Sequence, residues 1–252
     1  MAGKSINKGV VLAAGDGGRL SELTSRTPKV LLPVLGKPLI LYPIEALIRA
    51  GIREIAVVIG YLGNKVEEFL YGNPLPEVSL CCIFNPYHQH GNAASVEAAA
   101  DWVDGEPFVL CMGDHIMRQD YISRFLDKVS HQETLGVDFK PGSHHILEEA
   151  MKVCVDGDGL ISDIGKELTQ WDGIDTGVFL ITETFINAAG ELRKKSGIDT
   201  EISEVIRFML DRGQDFVTCD TTGPFWADID TAEDIQLVSS AGRWLRTRCM
   251  TG

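Results

Sequence analysis

Short apolar runs and mixed, longer segments take turns along the chain. KGVVLA at 8–13 and EIAVVI at 54–59 are nearly continuous runs of apolar, mostly β-branched residues. Runs of that length predict strands buried on both faces. Residues 78–84 and 107–112 give two more. Between them, 39–50, 64–70, the Ala-rich 91–102 and 119–130 read as helices, and Gly51 supplies the first with a C-terminal stop. Strand alternating with helix predicts a parallel sheet with crossover helices, a doubly wound α/β fold.

After about residue 134 the rhythm changes. Strands are expected at 135–138, 150–155, 177–182 and near 216–219, with a turn at Asp156-Gly157-Asp158-Gly159. Helices are expected at 184–194, 200–211 and 231–245, the last with Asp230 or Thr231 near its cap. Glu201 reads as a helix cap. No repeat of fixed period and no low-complexity linker divides the 252 residues, so 1–252 is expected to be a single domain.

Composition narrows the class. An apolar fraction of 44% with 23% charged residues is ordinary for a globular protein. No apolar stretch reaches a membrane span, and MAGKSINKG lacks the apolar core of a secretory signal, so a cytoplasmic protein is expected. A net charge of −13 argues against a general nucleic-acid binder. It also means that a phosphate ligand would need cations concentrated locally, or a metal. The six cysteines form no C-x-x-C and read as reduced, structural thiols, with the adjacent Cys81 and Cys82 on opposite faces of a strand. His88 with His90, and His144 with His145, fall in turn-rich stretches and read as surface loops.

Candidate chemistry begins at Gly15-Asp16-Gly17-Gly18-Arg19, directly after the first strand. In open α/β sheets, ligands collect at the carboxyl ends of strands. Glycines there let backbone N–H groups approach a phosphate chain. The turn lacks the Lys-Ser/Thr of a P-loop and the third glycine of a dinucleotide fingerprint. What remains is a glycine turn with a fixed Arg19, suited to a polyphosphate, followed by Lys29 on a loop stiffened by Pro28. Such a lysine can neutralise charge developing on a transferred group. Asp114 in FVLCMGDHI stands just past another strand, where a carboxylate can hold Mg²⁺ against a triphosphate. Asp228 and Asp230 in FWADIDT offer a second carboxylate, with helix capping the simpler role for Asp230. His115 reads as a packed or partly exposed histidine.

LAAGDGGRL, TPKVLLPVLGKPLI and WADIDTAED occur in that order and resemble the sugar-phosphate nucleotidyltransferases, the family that makes NDP-sugars. The resemblance covers nearly the whole chain. It implies a Rossmann-like nucleotidyltransferase fold, with a nucleotide-binding half over 1–133 and a smaller, interleaved acceptor-binding half with the C-terminal helix over 134–252. It implies a nucleotide site at Leu12, Ala13, Ala14, Gly15, Gly17, Gly18 and Gly113, with Gly91 and Asn92 lining the base pocket. Asp114 and Asp228 would pair around Mg²⁺. Arg19, Lys29 and Lys166 would be catalytic, Lys166 meeting the acceptor's phosphate near Asp175, Thr176 and Gly177. The partners are then small molecules, a nucleoside triphosphate and a phosphorylated polyol or sugar. The reading leaves room for a homo-oligomer.

NPYHQHGNAASVEAA, FVLCMGDHIMRQDYISRFL and DGIDTGVFLI look most like the CTP:inositol-1-phosphate cytidylyltransferase branch. Ala93 stands where that branch tends to carry a second glycine. In fused enzymes of the branch a membrane-embedded lipid synthase can follow; none is in this sequence, and a separate protein is expected to use the product. Two alternatives stay open: a UTP- or dTTP-dependent sugar-1-phosphate nucleotidyltransferase, and a non-catalytic nucleotide-sugar-binding regulatory module. A dinucleotide oxidoreductase is disfavoured, because VVIGYLGNK ends the second strand without an acidic residue.

Overall fold

The computed structural model describes residues 6–142, 147–197 and 199–247. His144, His145 and Cys249 lie outside them. The strands are β1 (Lys8–Ala13), β2 (Pro33–Val34), β3 (Lys37–Pro38), β4 (Glu54–Ile59), β5 (Ser79–Phe84), β6 (Phe108–Met112), β7 (His115–Met117), β8 (Thr134–Asp138), β9 (Lys152–Val155), β10 (Ile161–Gly165), β11 (Gly173–Ile181), β12 (Val217–Asp220) and β13 (Trp226–Asp228). The helices are α1 (Ser21–Thr24), α2 (Leu41–Arg49), α3 (Gly63–Gly72), α4 (Ala93–Ala98), α5 (Ala100–Val103), α6 (Tyr121–Leu126), α7 (Glu183–Ser196), α8 (Ile202–Leu210) and α9 (Ala232–Thr247).

The central sheet runs β10-β9-β11-β6-β1-β4-β5, with β8 attached to β11 and β12 to β8. β6, β1, β4 and β5 are parallel, as the strand–helix alternation predicts. β11 joins β6 antiparallel, so the second half of the chain is built into the same sheet. Side chains alternate across β1: Val10 and Leu12 enter one core, Val11 and Ala13 the other. Both faces are therefore covered in β1, and β4 and β6 are buried likewise, which is why these three read as unbroken apolar runs, whereas the edge strand β5 is only half-buried. Cys81 and Cys82 split between the same two cores, and the described cysteines are all unpaired thiols. No helix among the described residues is long and apolar enough to cross a membrane.

Several elements differ from the sequence expectation. The helix expected over 91–102 is two, α4 and α5, separated at Ala99. Lys8 closes the second of them, its Nζ donating to the Trp102 and Val103 carbonyls at 3.1 and 3.0 Å. A cation at that end also opposes the helix dipole. β11 starts four residues before the expected 177, and its pairing with β8 shifts register between Asp175 and Phe179, where Gly177 adopts φ +70. β7, β10 and β13 are strands that the apolar pattern does not predict. Glu201 does cap α8, in a reciprocal box with Glu204.

Candidate active site

The carboxyl ends of β1 and β6 lie side by side, Leu12 opposite Met112 in register. The chain leaves each strand there, and a cleft of about 400 Å³ opens between the glycine turn, Lys29 and Asp114. Gly17 shapes its floor. Its φ is +66, and a Cβ on it would come within 2.9 Å of the Lys29 Cβ and 3.0 Å of the Thr24 Cγ2. Glycine is needed there for both the left-handed backbone and the close approach. Lys29 heads a 3₁₀ turn after Pro28, tied to the next segment by Ile40 N–H donating to Val30 O at 2.9 Å.

Lys29 is only 7% exposed. Its Nζ donates to Asp114 Oδ2 at 2.7 Å and to Asp230 Oδ1 at 2.5 Å. Burial opposes its charge, but Asp114, Asp228 and Asp230 outweigh burial and hold its pKa above the ordinary lysine value. Burial likewise works against the Asp114 carboxylate, and Lys29 with His115 overcomes it, so Asp114 stays ionised well below the usual range. Arg19 pairs with Asp230 at 3.0 Å and with Glu149.

Asp228 arrives from the far end of the chain. β13 pairs antiparallel with β7, which sets Asp228 opposite His115, the neighbour of Asp114. His115 Nδ1 is 3.1 Å from Asp114 Oδ1 and 3.7 Å from Asp228 Oδ1, and its ring stacks on Trp226. Desolvation would lower the His115 pKa, but Asp228 first and then Asp114 raise it to about 9. Asp228 is pushed up to about 6, by desolvation first and then by Asp114 and Asp230, against His115 and Lys29. With 43% of its side chain accessible, water screens much of that shift. Asp114, His115 and Asp228 each offer one donor atom, all within 4.8 Å of one another. Two carboxylates at that spacing fit a hard divalent cation.

The residues singled out in the sequence fall into three groups. Leu12, Ala13, Gly15, Gly17, Gly18, Arg19, Lys29 and Asp114 line the cleft, together with Asp16 and Asp230. Buried behind it, Ala14 accepts the Tyr61 N–H at 3.0 Å, and Gly113 donates to Leu12 O at 2.8 Å.

In the second group, Asp175 and Gly177 face His115. Asp175 accepts the Gly177 N–H at 2.6 Å, and burial raises its pKa to about 6 against that hydrogen bond and His115. A Cβ on Gly177 would lie 2.7 Å from His115 Nε2. Thr176 is buried, its hydroxyl donating to Gly136 O at 2.8 Å.

The third group stands apart from the cleft lining. Gly91 packs on the Thr200 backbone, and Asn92 Oδ1 accepts the Ile202 N–H at 2.7 Å, so Asn92 serves the start of α8 rather than its own helix. Lys166 is exposed just past β10, three strands from β6, with its carbonyl held by Lys152 Nζ at 2.7 Å.

Asp230 corrects its sequence reading. The helix start is satisfied by Thr231 and Asp234: Asp234 N–H donates to Thr231 Oγ1 at 3.2 Å, and Asp234 Oδ2 accepts from Thr231 N at 2.7 Å. That leaves the Asp230 carboxylate for Lys29 and Arg19.

Residues 8–241 match the family described as nucleotidyl transferase. A bifunctional IPC transferase and DIPP synthase of Rubrobacter xylanophilus is 35% identical over 233 residues, covering 90% of this chain and 50% of that protein. The chain thus spans about half the length of that relative. A glucose-1-phosphate thymidylyltransferase of Mycolicibacterium smegmatis is 27% identical, covering 96% of this chain and 84% of that protein. Among solved structures, an inositol-1-phosphate CTP transferase from T. maritima superposes with a TM-score of 0.79 at 28% identity, covering 94% of this chain and 96% of that one.

Proposed function

The chain belongs to the nucleotidyl transferase family, and on that premise we propose that it joins CTP to inositol 1-phosphate and releases pyrophosphate. The observation that carries this reading is the convergence on one cleft of two cations, Arg19 and Lys29, with Asp114, whose partner carboxylate Asp228 stands beside it across His115. Cations suit a polyphosphate, and the carboxylates suit a metal that travels with one. The names of the bifunctional relative and of the T. maritima structure support the choice of substrates.

An oxygen of the acceptor's phosphate attacks the α-phosphorus of the triphosphate in line. The new P–O bond forms as the bond to the leaving pyrophosphate breaks. A phosphate monoester ionises with a second pKa of about 6, so no general base is required near neutral pH. Catalysis is then positioning and charge neutralisation. Backbone N–H groups of the glycine turn cradle the phosphates, Arg19 covers the leaving pyrophosphate, and Lys29 meets the α-phosphate. Lys166 aims the nucleophile, with Asp175 and Gly177 on the acceptor's side and Thr176 bracing them from behind. Gly91 and Asn92 border the base. Mg²⁺ held by Asp114 and Asp228 would supply the positive charge that a chain of net charge −13 lacks. Residues 1–133 form the nucleotide half and 134–252 the acceptor half in this reading. Both substrates are small water-soluble anions, and the cytoplasm is the compartment we assign.

The test is pyrophosphate release with Mg²⁺, pairing CTP, UTP, dTTP, ATP and GTP with inositol 1-phosphate and a panel of sugar 1-phosphates. Release confined to CTP with inositol 1-phosphate supports the reading. Release with dTTP and glucose 1-phosphate instead, the pair that the M. smegmatis relative's name suggests, replaces the substrates and keeps the reaction.

A further inference from the structure

Asp230 takes no part in the transfer just described, yet it is the anion that both cations hold. One of its oxygens is 2.5 Å from Lys29 Nζ and the other 3.0 Å from an Arg19 nitrogen. It is not needed at the start of α9, where Thr231 and Asp234 satisfy each other. The second arm of Arg19 is taken by Glu149, which reaches in from the turn at 147–149. Asp114 takes the remaining short contact of Lys29. The short contacts of these two side chains are thus made with carboxylates, Asp230 bridging the two. A nucleoside triphosphate brings about four negative charges, and a cleft neutralised in this way does not attract them. A phosphate that meets both cations at once therefore competes with Asp230 for them.

We propose that Asp230 is a built-in stand-in for a substrate phosphate. With its two oxygens it bridges Arg19 and Lys29 as one phosphate group would, and holds both cations aimed into the cleft while the cleft is empty. It is displaced when polyphosphate enters, with Glu149 as an outer latch on the same arginine. Asp230 thereby sets nucleotide affinity. It keeps the cations from straying and weakens binding by competition. This rests on the reading of Arg19 and Lys29 as the phosphate-binding cations.

The experiment is calorimetric titration of inorganic pyrophosphate in metal-free buffer into the wild-type chain and into Asp230→Asn, Glu149→Gln and Arg19→Gln. Asn keeps the shape of Asp230 and removes the competing charge. Asp230→Asn is expected to bind pyrophosphate about ten-fold tighter, the worth of one charge-assisted pair. Glu149→Gln, on an exposed turn remote from the helix start, is expected to tighten binding about two- to three-fold, as an accessible pair should. A merely structural role would loosen binding, so the sign separates the two. Unchanged or weaker binding in Asp230→Asn, with Arg19→Gln still weakening it, overturns the stand-in and leaves the phosphate site in place. Binding indifferent to Arg19→Gln overturns the phosphate site itself, and the stand-in with it.

Discussion

Lys29→Met keeps the apolar stem of Lys29 and deletes its charge. Three carboxylates then face one another without their shared cation: Asp114 at 2.7 Å from the lost nitrogen, Asp230 at 2.5 Å, and Asp228 beyond them. Removing one partner of a fully buried pair costs about 3–5 kcal/mol. Here Asp114 and Asp230 are 30% and 27% accessible, so water reaches them, and the expected loss is about 1–3 kcal/mol after that screening. For a chain of this size that lowers Tm by roughly 2–10 °C. The pH dependence carries the sharper test. Without Lys29, Asp114 and Asp228 lose a cation that lowers their pKa values and keep the burial that raises them. The folded state then takes up protons first, and the variant regains stability as pH falls through those raised values. The gap between wild type and variant, read by calorimetry at pH 7.5 and pH 5.5, should narrow on acidification. A gap that stays constant or widens would refute the reasoning that carboxylate repulsion is its source.

His115 titrates near 9 in the folded protein against an ordinary 6.5, so its contribution is complete below about 6.5 and disappears as pH rises through 9. Wild-type stability should therefore fall between pH 7 and pH 9.5, by at most about 3 kcal/mol, and denaturant titrations of His115→Gln should lack that fall. Gly177→Ala places a Cβ 2.7 Å from His115 Nε2 at φ +70. Left-handed strain alone costs about 1–2 kcal/mol, and calorimetry should show at least that loss together with a shifted His115 ring signal by NMR. Asp114→Asn should abolish Mn²⁺ binding measured by calorimetry and lower turnover about 10³-fold, with circular dichroism unchanged.

The long strands were legible because burial on both faces leaves nothing polar to interrupt them. Val10 through Ala13 in β1 and Val57 through Ile59 in β4 are all buried. β7 and β13 are three residues each and exist only as partners of one another, more than a hundred residues apart in the chain. No local pattern announces such a pair. The same pairing sets Asp228 beside His115. Motifs therefore bring Asp114 and Asp228 to notice, while their spacing along the chain says nothing of the histidine between them. Asp230 had a readable signal. In D-I-D an extended backbone sends the first and third side chains to one side, with Ile229 buried on the other. The helix that follows offered a competing cap role, which Thr231 and Asp234 fill instead. Glu149 meets Arg19 across loops, and loop-to-loop contacts leave no trace in periodicity.

The most direct measurement is ³¹P NMR of a mixture of the chain, Mg²⁺, CTP and inositol 1-phosphate. Nucleotidyl transfer predicts paired resonances of a new pyrophosphate diester, free pyrophosphate in equal amount, and loss of the acceptor's monoester signal. Appearance of CDP with inorganic phosphate while the inositol 1-phosphate signal stays intact would contradict it, since the bond broken would then be at the γ-phosphorus rather than the α-phosphorus.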